Sequence, residues 1–551
     1  MAIATRGVPA AAVVVLASAL AGGAMGARAN ATQDYNKAED RYKMYQIALN
    51  AIDREYVEPV DSAQLVYSSI DGLLRTLDPH STFFDPKAYD RMREQQSGRY
   101  PGIGITILPV DGNITVTSVF EGSPAYRAGI RRNDVIARVG QPADEGGKKI
   151  IKWEETKGWP SEEVVKRVRG QKGTTVEISI RRPGVDQLID LTVERDTISI
   201  VSVRTAFMIA PGTGYIRLQE FAEHTDEELG QALTSLKKQG MQRLMLDLRD
   251  NPGGELDQAI AVASRFLKSG QMVVYTRGRA QGTAEDYRVE TTGTVLDTPM
   301  VVMVNRNSAS ASEIVSGAMQ DHDRAILVGE TTFGKALVQG VYRISEGAGL
   351  ALTTGRYFTP SNRMIQRPWD AAFDEYLTYS YTDQKPRVHD AAQLKYTDSG
   401  RKVYSGGGIE PDHFVPGPAD GFNPTRFSRM LRDRGAFIVF AERFTKEGDV
   451  RPGGKAAAAA HKVAPGWEVT DAMVTEFHDY VVGERVRFDE AAFKADLAFV
   501  KAMIHFEVDA DLFGMEEARR NLSRVDPQVQ AALGYFDEAK ALLTAKKTAG
   551  K

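Results

Sequence analysis

The 551-residue sequence contains no cysteine at all. Disulfides, thiolate metal sites and a lipid anchor on an N-terminal cysteine are thereby excluded, and redox chemistry says nothing about compartment. Histidine is scarce, eight in all, with no HExxH and no paired-ligand spacing. A metal centre has no ligand set to build on, and no cofactor is expected. Positive charge is not in excess either: the formal net charge is −4. Without a basic footprint, nucleic acid is not an expected partner. Long apolar runs are missing outside the N-terminus, while the length alone provides for several domains.

That N-terminus is distinctive. Met1–Arg6 carries one positive charge, Gly7–Ala27 is uncharged and rich in Ala, Val and Leu, and Ala27-Arg28-Ala29 supplies small residues. The pattern predicts a secretory signal peptide over 1–29 with an Ala-x-Ala site, and so a periplasmic protein. Left uncleaved, the stretch is long enough to span a bilayer and would hold the protein to the membrane. Its Ala/Gly content makes it only mildly hydrophobic, which favours cleavage.

The chemistry concentrates between Asn305 and Gln339. Pro299–Asn305 is short, apolar and β-branched, the mark of a buried strand, and Glu313–Gln320 reads as a helix with Ile314, Gly317 and Ala318 on one face. Ser310 thus falls at a strand-to-helix turn, where unpaired N–H groups favour developing negative charge. Lys335 follows 25 residues later. As a strand or as a helix, Lys335-Ala-Leu-Val-Gln339 points Lys335 and Gln339 the same way. Lysine becomes a base only where burial lowers its pKa from about 10.4. Phe333, Leu337 and Val338 are apolar neighbours for that purpose, and Gln339 can orient the amine without adding charge. Taken alone, a serine-rich turn before a helix more often supplies an N-cap, a role open to Ser308 or Ser312, with Glu313 aiding the helix start. His322 offers a Ser-His-Asp alternative, but Asp321-His-Asp-Arg324 reads as an exposed turn.

The strings SASASEI (Ser308–Ile314), VGETTFGKALVQ (Val328–Gln339) and DLRDNPGG (Asp247–Gly254) together resemble the C-terminal processing, or tail-specific, proteases, PDZ-containing serine peptidases with a Ser/Lys dyad. The resemblance implies Ser310 as nucleophile, Lys335 as general base and Gln339 as its support. One departure stands beside the base, where Gly334-Lys335-Ala336 replaces the usual Gly-Lys-Gly. The oxyanion hole is expected from the N–H of Ala311 and from the Asp250–Gly254 loop. There adjacent glycines let N–H groups approach a ligand, and Gly253 and Gly254 are not separable. That loop leads into a helix expected to align Leu256, Ile260, Ala263 and Leu267.

The expected fold is multidomain α/β. A helical region covers 30–97, with Tyr42, Tyr45, Leu49, Ile52 and Tyr56 at helical spacing and a turn at Leu77-Asp-Pro-His-Ser81; oligomer contacts and core packing serve that pattern equally. Residues 98–196 read as a PDZ domain, with Gly102, Ile103, Gly104 and Ile105 as the cradle for a peptide carboxylate. Asp144–Trp159 is expected as an exposed loop, and Arg169 as either a surface residue or a link between domains. Residues 197–415 form a βα-layered core, crotonase-like by the resemblance. Within it Trp369–Tyr404 is a polar, Tyr-rich insert without a readable role. Residues 416–551 are helical, a cap or an oligomerisation arm, with a linker at 453–460. The implied function is a serine endopeptidase acting on proteins with accessible C-terminal tails, as a homo-oligomer or with an adaptor. The rival is a non-catalytic peptide-binding scaffold. Retention of Ser310, Lys335 and Gln339 together argues against it.

Overall fold

The computed structural model describes residues 38–445 and 463–549, apart from 111, 121, 146–147, 183–184, 345–346, 370–372 and 485–486. The expected signal peptide and the 453–460 linker lie outside these residues. Residues up to Asp78 form one compact unit and Pro79–Lys551 another.

The first unit holds the helices Ala38–Glu55 and Ser62–Arg75. Asp61 caps the second by accepting from the N–H groups of Ala63 and Gln64. The aromatic stripe is largely uncovered: Tyr42 is 72% exposed and Tyr56 60%.

In the second unit, the segment read as a PDZ domain is an antiparallel sheet in the order Ile105–Val110, Asn113–Val119, Val135–Glu145, Thr175–Arg181, Ile189–Glu194. Its core gathers Ile103, Val116, Ile136, Val139, Val164 and Ile178. The expected loop at 144–159 is instead half of a β-hairpin. Lys148–Glu155 pairs with Val135–Glu145 from Arg138↔Glu155 to Glu145↔Lys148. The reason is in the run Ile150-Ile151-Lys152-Trp153, β-formers that have a partner strand to pair with.

The βα-layered core follows from alternating strands and helices. Thr213–Arg217, Arg243–Asp247, Met300–Val304, Ile326–Gly329 and His413–Phe414 run parallel, edged by antiparallel Thr205–Ala210. Parallel strands must be covered on both faces. On one face Leu244, Leu246, Val302 and Val304 pack with Leu229, Ala263, Val315 and Ala318 from three helices. On the other, Phe207, Met245, Val301, Met303 and Val328 pack with Val529, Ala532, Phe536 and Ala539. The C-terminal helices Pro527–Leu533 and Phe536–Ala549 thus close the second face of the sheet. The helix after Gly254 spans Leu256–Ser264, and the expected face is the one turned inward: Ala263 and Leu267 are buried and Leu256 and Ile260 pack half-buried on the same core, widened by Ala259 and Val262. A second, antiparallel sheet joins Thr82–Phe84, Gly349–Phe358, Met272–Arg277 and Glu285–Arg288, with Leu337–Arg343 also on Gly349–Phe358.

Candidate active site

Ser310 stands at the N-cap of the helix Ala311–Asp321 with φ 54° and ψ −113°. A non-glycine residue in such backbone costs about 1–3 kcal/mol and persists only where its surroundings impose it. Here the neighbouring serines do so. Ser308 donates its hydroxyl to the carbonyl of Leu248 (2.8 Å) and Ser312 to that of Asn251 (3.0 Å). Neither is an N-cap, contrary to expectation. Both stitch the serine turn to the Asp250–Gly254 loop, as does the Ala309 N–H to the Asn251 carbonyl (3.0 Å).

Glu313, one turn into the helix, does more than aid its start. One carboxylate oxygen accepts from the N–H groups of Ser310 (2.8 Å) and Lys335 (2.9 Å), the other from the Thr332 hydroxyl (2.5 Å) and Gly334 N–H (2.7 Å). Its side chain therefore clips the backbone of Ser310 to that of Lys335. Burial pushes its carboxyl up to about 7, the four donors pulling the other way. Between the carbonyls of Lys335 (2.6 Å) and Ser310 (3.2 Å) lies the Tyr357 hydroxyl, whose pKa burial raises well above the ordinary value. It stays a donor.

Lys335 precedes the strand Leu337–Arg343 and is half-buried. Its Nζ donates to Gln339 Oε1 at 3.4 Å, so the two meet as the spacing predicts. The register slips by one residue opposite Val338 and Gln339, Thr354 being the extra residue of the partner strand Gly349–Phe358, and Leu337, Val338 and Gln339 all line one cleft. That cleft, about 610 Å³, also takes in Ser310, Lys335, Gly253 and Gly254, with Phe221, Ile314 and Val341 as apolar wall.

The two glycines separate. Gly253 donates its N–H to Asn251 Oδ1 (2.9 Å) and its Cα faces Ser310, a Cβ there lying 2.7 Å from that of the serine. Gly254 has φ 143°, and among the described residues no protein acceptor takes its N–H or that of Ala311. Of the two, Gly254 retains a donor for the cleft. The loop is anchored from behind. Arg249 binds Asp247 (2.7 Å), Asp526 (2.9 Å) and Gln528 (2.9 Å), all buried. Burial alone would raise the Asp247 carboxyl; Arg249 and Arg217 outweigh it and hold it well below the usual range.

His322 is no rival base. Its Nδ1 faces Asp398 (2.8 Å), its Nε2 the Met272 carbonyl (2.7 Å), and the turn read as exposed is buried. Arginines farther along the chain explain this: Asp321 pairs with Arg363 and Asp323 with Arg401. At the segment expected to cradle a peptide carboxylate, Gly102, Ile103 and Gly104 are buried and Ile105 half-buried. The carbonyls of Ile103 and Gly104 accept from Ala125 (2.9 Å) and Phe120 (3.0 Å), while their N–H groups meet no protein acceptor among the described residues. Sequence reasoning passed over Asn251, Tyr357 and Asp526. Asn251 stands inside the glycine motif and could have been found there; the others act over long separations and leave no local signal.

The chain is similar to known proteins. The profile of peptidase family S41 matches residues 212–369 and that of the PDZ domain residues 92–181. The carboxy-terminal-processing protease of Bartonella bacilliformis is 35% identical over 338 residues, covering 60% of this chain and 74% of the relative. The carboxy-terminal processing protease CtpA of Bacillus subtilis is 33% identical over 369 residues, 67% and 74% of the respective chains. A solved structure, the photosystem II D1 C-terminal processing protease, is 31% identical, with a TM-score of 0.33, over 58% of this chain and 88% of that one. The chain belongs to the carboxy-terminal processing proteases of peptidase family S41, serine-type peptidases, and carries a PDZ domain ahead of its catalytic core.

Proposed function

We propose that this peptidase hydrolyses peptide bonds with a Ser310/Lys335 dyad and selects substrates by their C-terminal tails. The observation that carries the reading is the convergence of Ser310, Lys335, Gln339 and Gly254 on one partly apolar cleft. Ser310 Oγ attacks the scissile carbonyl while neutral Lys335 takes its proton. The N–H groups of Gly254 and Ala311 receive the oxyanion. Lys335 then protonates the leaving amine, and water attacks the acyl-enzyme by the reverse path. The Ile103 and Gly104 N–H groups bind the terminal carboxylate of a tail that adds as a strand along Ile105–Val110.

Tail binding has a route to the cleft. Arg169, at the end of the helix Ser161–Val168, pairs with Glu94 (2.6 Å) and stacks over Tyr100 (4.6 Å). Glu94 shares the helix Pro86–Ser97 with Met92 and Gln96, which line the cleft. The signal sequence over 1–29 directs the protein to the periplasm. In the test, purified Ser310→Ala and Lys335→Ala are offered a peptide with an apolar free C-terminus. Both should be inactive with unchanged thermal unfolding; full activity in either overturns the dyad. Mass spectrometry of proteins that accumulate with uncut C-termini in the presence of Ser310→Ala would name the substrates.

A further inference from the structure

Two features that the dyad leaves without a role, His80 and the tyrosine-rich insert, connect to Gln339. Gln339 Nε2 donates to the backbone carbonyl of His80 at 2.6 Å. A carbonyl can only accept, so this bond decides which way the amide faces. Oε1 is turned to Lys335, where it accepts from the amine (3.4 Å). The opposite orientation would aim an N–H at the lysine and compete for the lone pair that a base must offer.

His80 is itself held. Its Nε2 meets the hydroxyl of Tyr376, and the two rings stand edge to face at 5.8 Å. The same carbonyl accepts from the Thr82 hydroxyl (3.0 Å), and the next residue, buried Ser81, accepts from Thr353 N–H (3.1 Å). Thr353 is the register partner of Gln339. Tyr376 is 2% exposed and packs against Phe333 (5.3 Å), two residues before the lysine, and against Trp369 (6.1 Å). Phe333 N–H in turn donates to the Ser308 carbonyl (2.9 Å).

We propose that His80 and Tyr376 are positioning residues for the general base: the Tyr376 hydroxyl fixes His80, whose carbonyl locks the Gln339 amide with its oxygen toward Lys335. This gives the insert a function in catalysis without contact to substrate. The inference rests on the dyad reading.

The test is the rate at which a fluorophosphonate probe labels Ser310, followed against pH, with kcat and KM for a peptide and thermal unfolding measured alongside. Tyr376→Phe removes one oxygen; His80→Phe keeps a ring but removes the nitrogen. Each should lower kcat by about five-fold, the size of one lost hydrogen bond, leave KM and unfolding unchanged, and move the midpoint of the pH–labelling curve. A merely structural role would lower the unfolding temperature without moving that midpoint. Lys335→Ala is run in parallel. If it labels normally, the dyad and the positioning role both fall. If it is dead while Tyr376→Phe and His80→Phe keep the wild-type kcat and pH curve, only the positioning role is overturned. Should one variant fail to fold, the other decides.

Discussion

Replacing Glu313 by Gln separates the stability of this site from its competence. In the native protein the carboxyl is raised from 4.5 to about 7, chiefly by burial. A carboxyl raised on folding contributes stability that is complete below 4.5 and is lost as pH rises through about 7, because the native state must then hold a buried charge. The rise corresponds to about 3 kcal/mol. Glutamine has no charge to bury and is free of that penalty at pH 8. It keeps one accepting oxygen, however, and turns an NH2 group toward two of the four donors. Two unsatisfied buried donors cost about 1–3 kcal/mol each. The opposing terms largely offset, so stability at pH 8 should change by no more than about 3 kcal/mol. Catalysis has no such compensation. Either Ser310 and Lys335 lose their shared acceptor, or Thr332 and Gly334 do, and displaced reacting groups cost on the order of 10²-fold in kcat. The assay is peptide hydrolysis from pH 6 to 9 (a range of about three decades in proton concentration) with denaturant unfolding at each pH. Wild-type stability should fall across pH 7 and the variant's should not. A variant with wild-type kcat and the wild-type slope of stability against pH would refute both the clip and the buried charge.

Three further outcomes follow from the geometry. Gly254→Ala would put a Cβ 2.1 Å from the Phe221 carbonyl at φ 143°, tilting the N–H from the cleft; kcat should fall about 10²–10³-fold with KM nearly kept, and a KM effect alone would count against an oxyanion role. Asp526→Ala removes a partner of buried Arg249 and the acceptor for the N–H groups of Gln528 and Val529; denaturant unfolding should show a loss of about 3 kcal/mol, and a loss below about 1 kcal/mol would mean the pair is solvated. Gly104→Ala would set a Cβ 2.3 Å from that of Ser123 at φ 81°. The ratio of cleavage of a free-carboxylate peptide to its C-terminal amide should drop toward one; an unchanged ratio would show that the carboxylate is read elsewhere.

What was legible in the sequence was local. Ser310, Lys335 and Gln339 come to one cleft because each is fixed by a short strand, turn or helix start within its own motif. The sheet was legible for the same reason, since apolar strands alternate with helical spacing. Legibility ended where a residue's role depends on partners far along the chain. Glu313 looked like a helix-start acid, and only the fold brings Thr332, Gly334 and Lys335 onto it. Gly253 and Gly254 were indistinguishable until Asn251 took up the N–H of one. Asp321 and Asp323 looked exposed because their arginines, Arg363 and Arg401, lie some forty and eighty positions on. The β-hairpin at 135–155 was hidden by a charged, glycine-containing tip that reads as a loop.

The cover on the second face of the sheet has a consequence in time. Arg249 stands directly before the Asp250–Gly254 loop, and its partner Gln528 is 279 residues later in the chain. A ribosome that has synthesised every residue of the cleft has still not made the helix that braces it. Closing so long a loop is slow relative to local folding, because its entropy is lost before its contacts form. The brace of the Asp250–Gly254 loop therefore forms only after every cleft residue has been made, and a chain terminated before Asp526 would leave that loop without it.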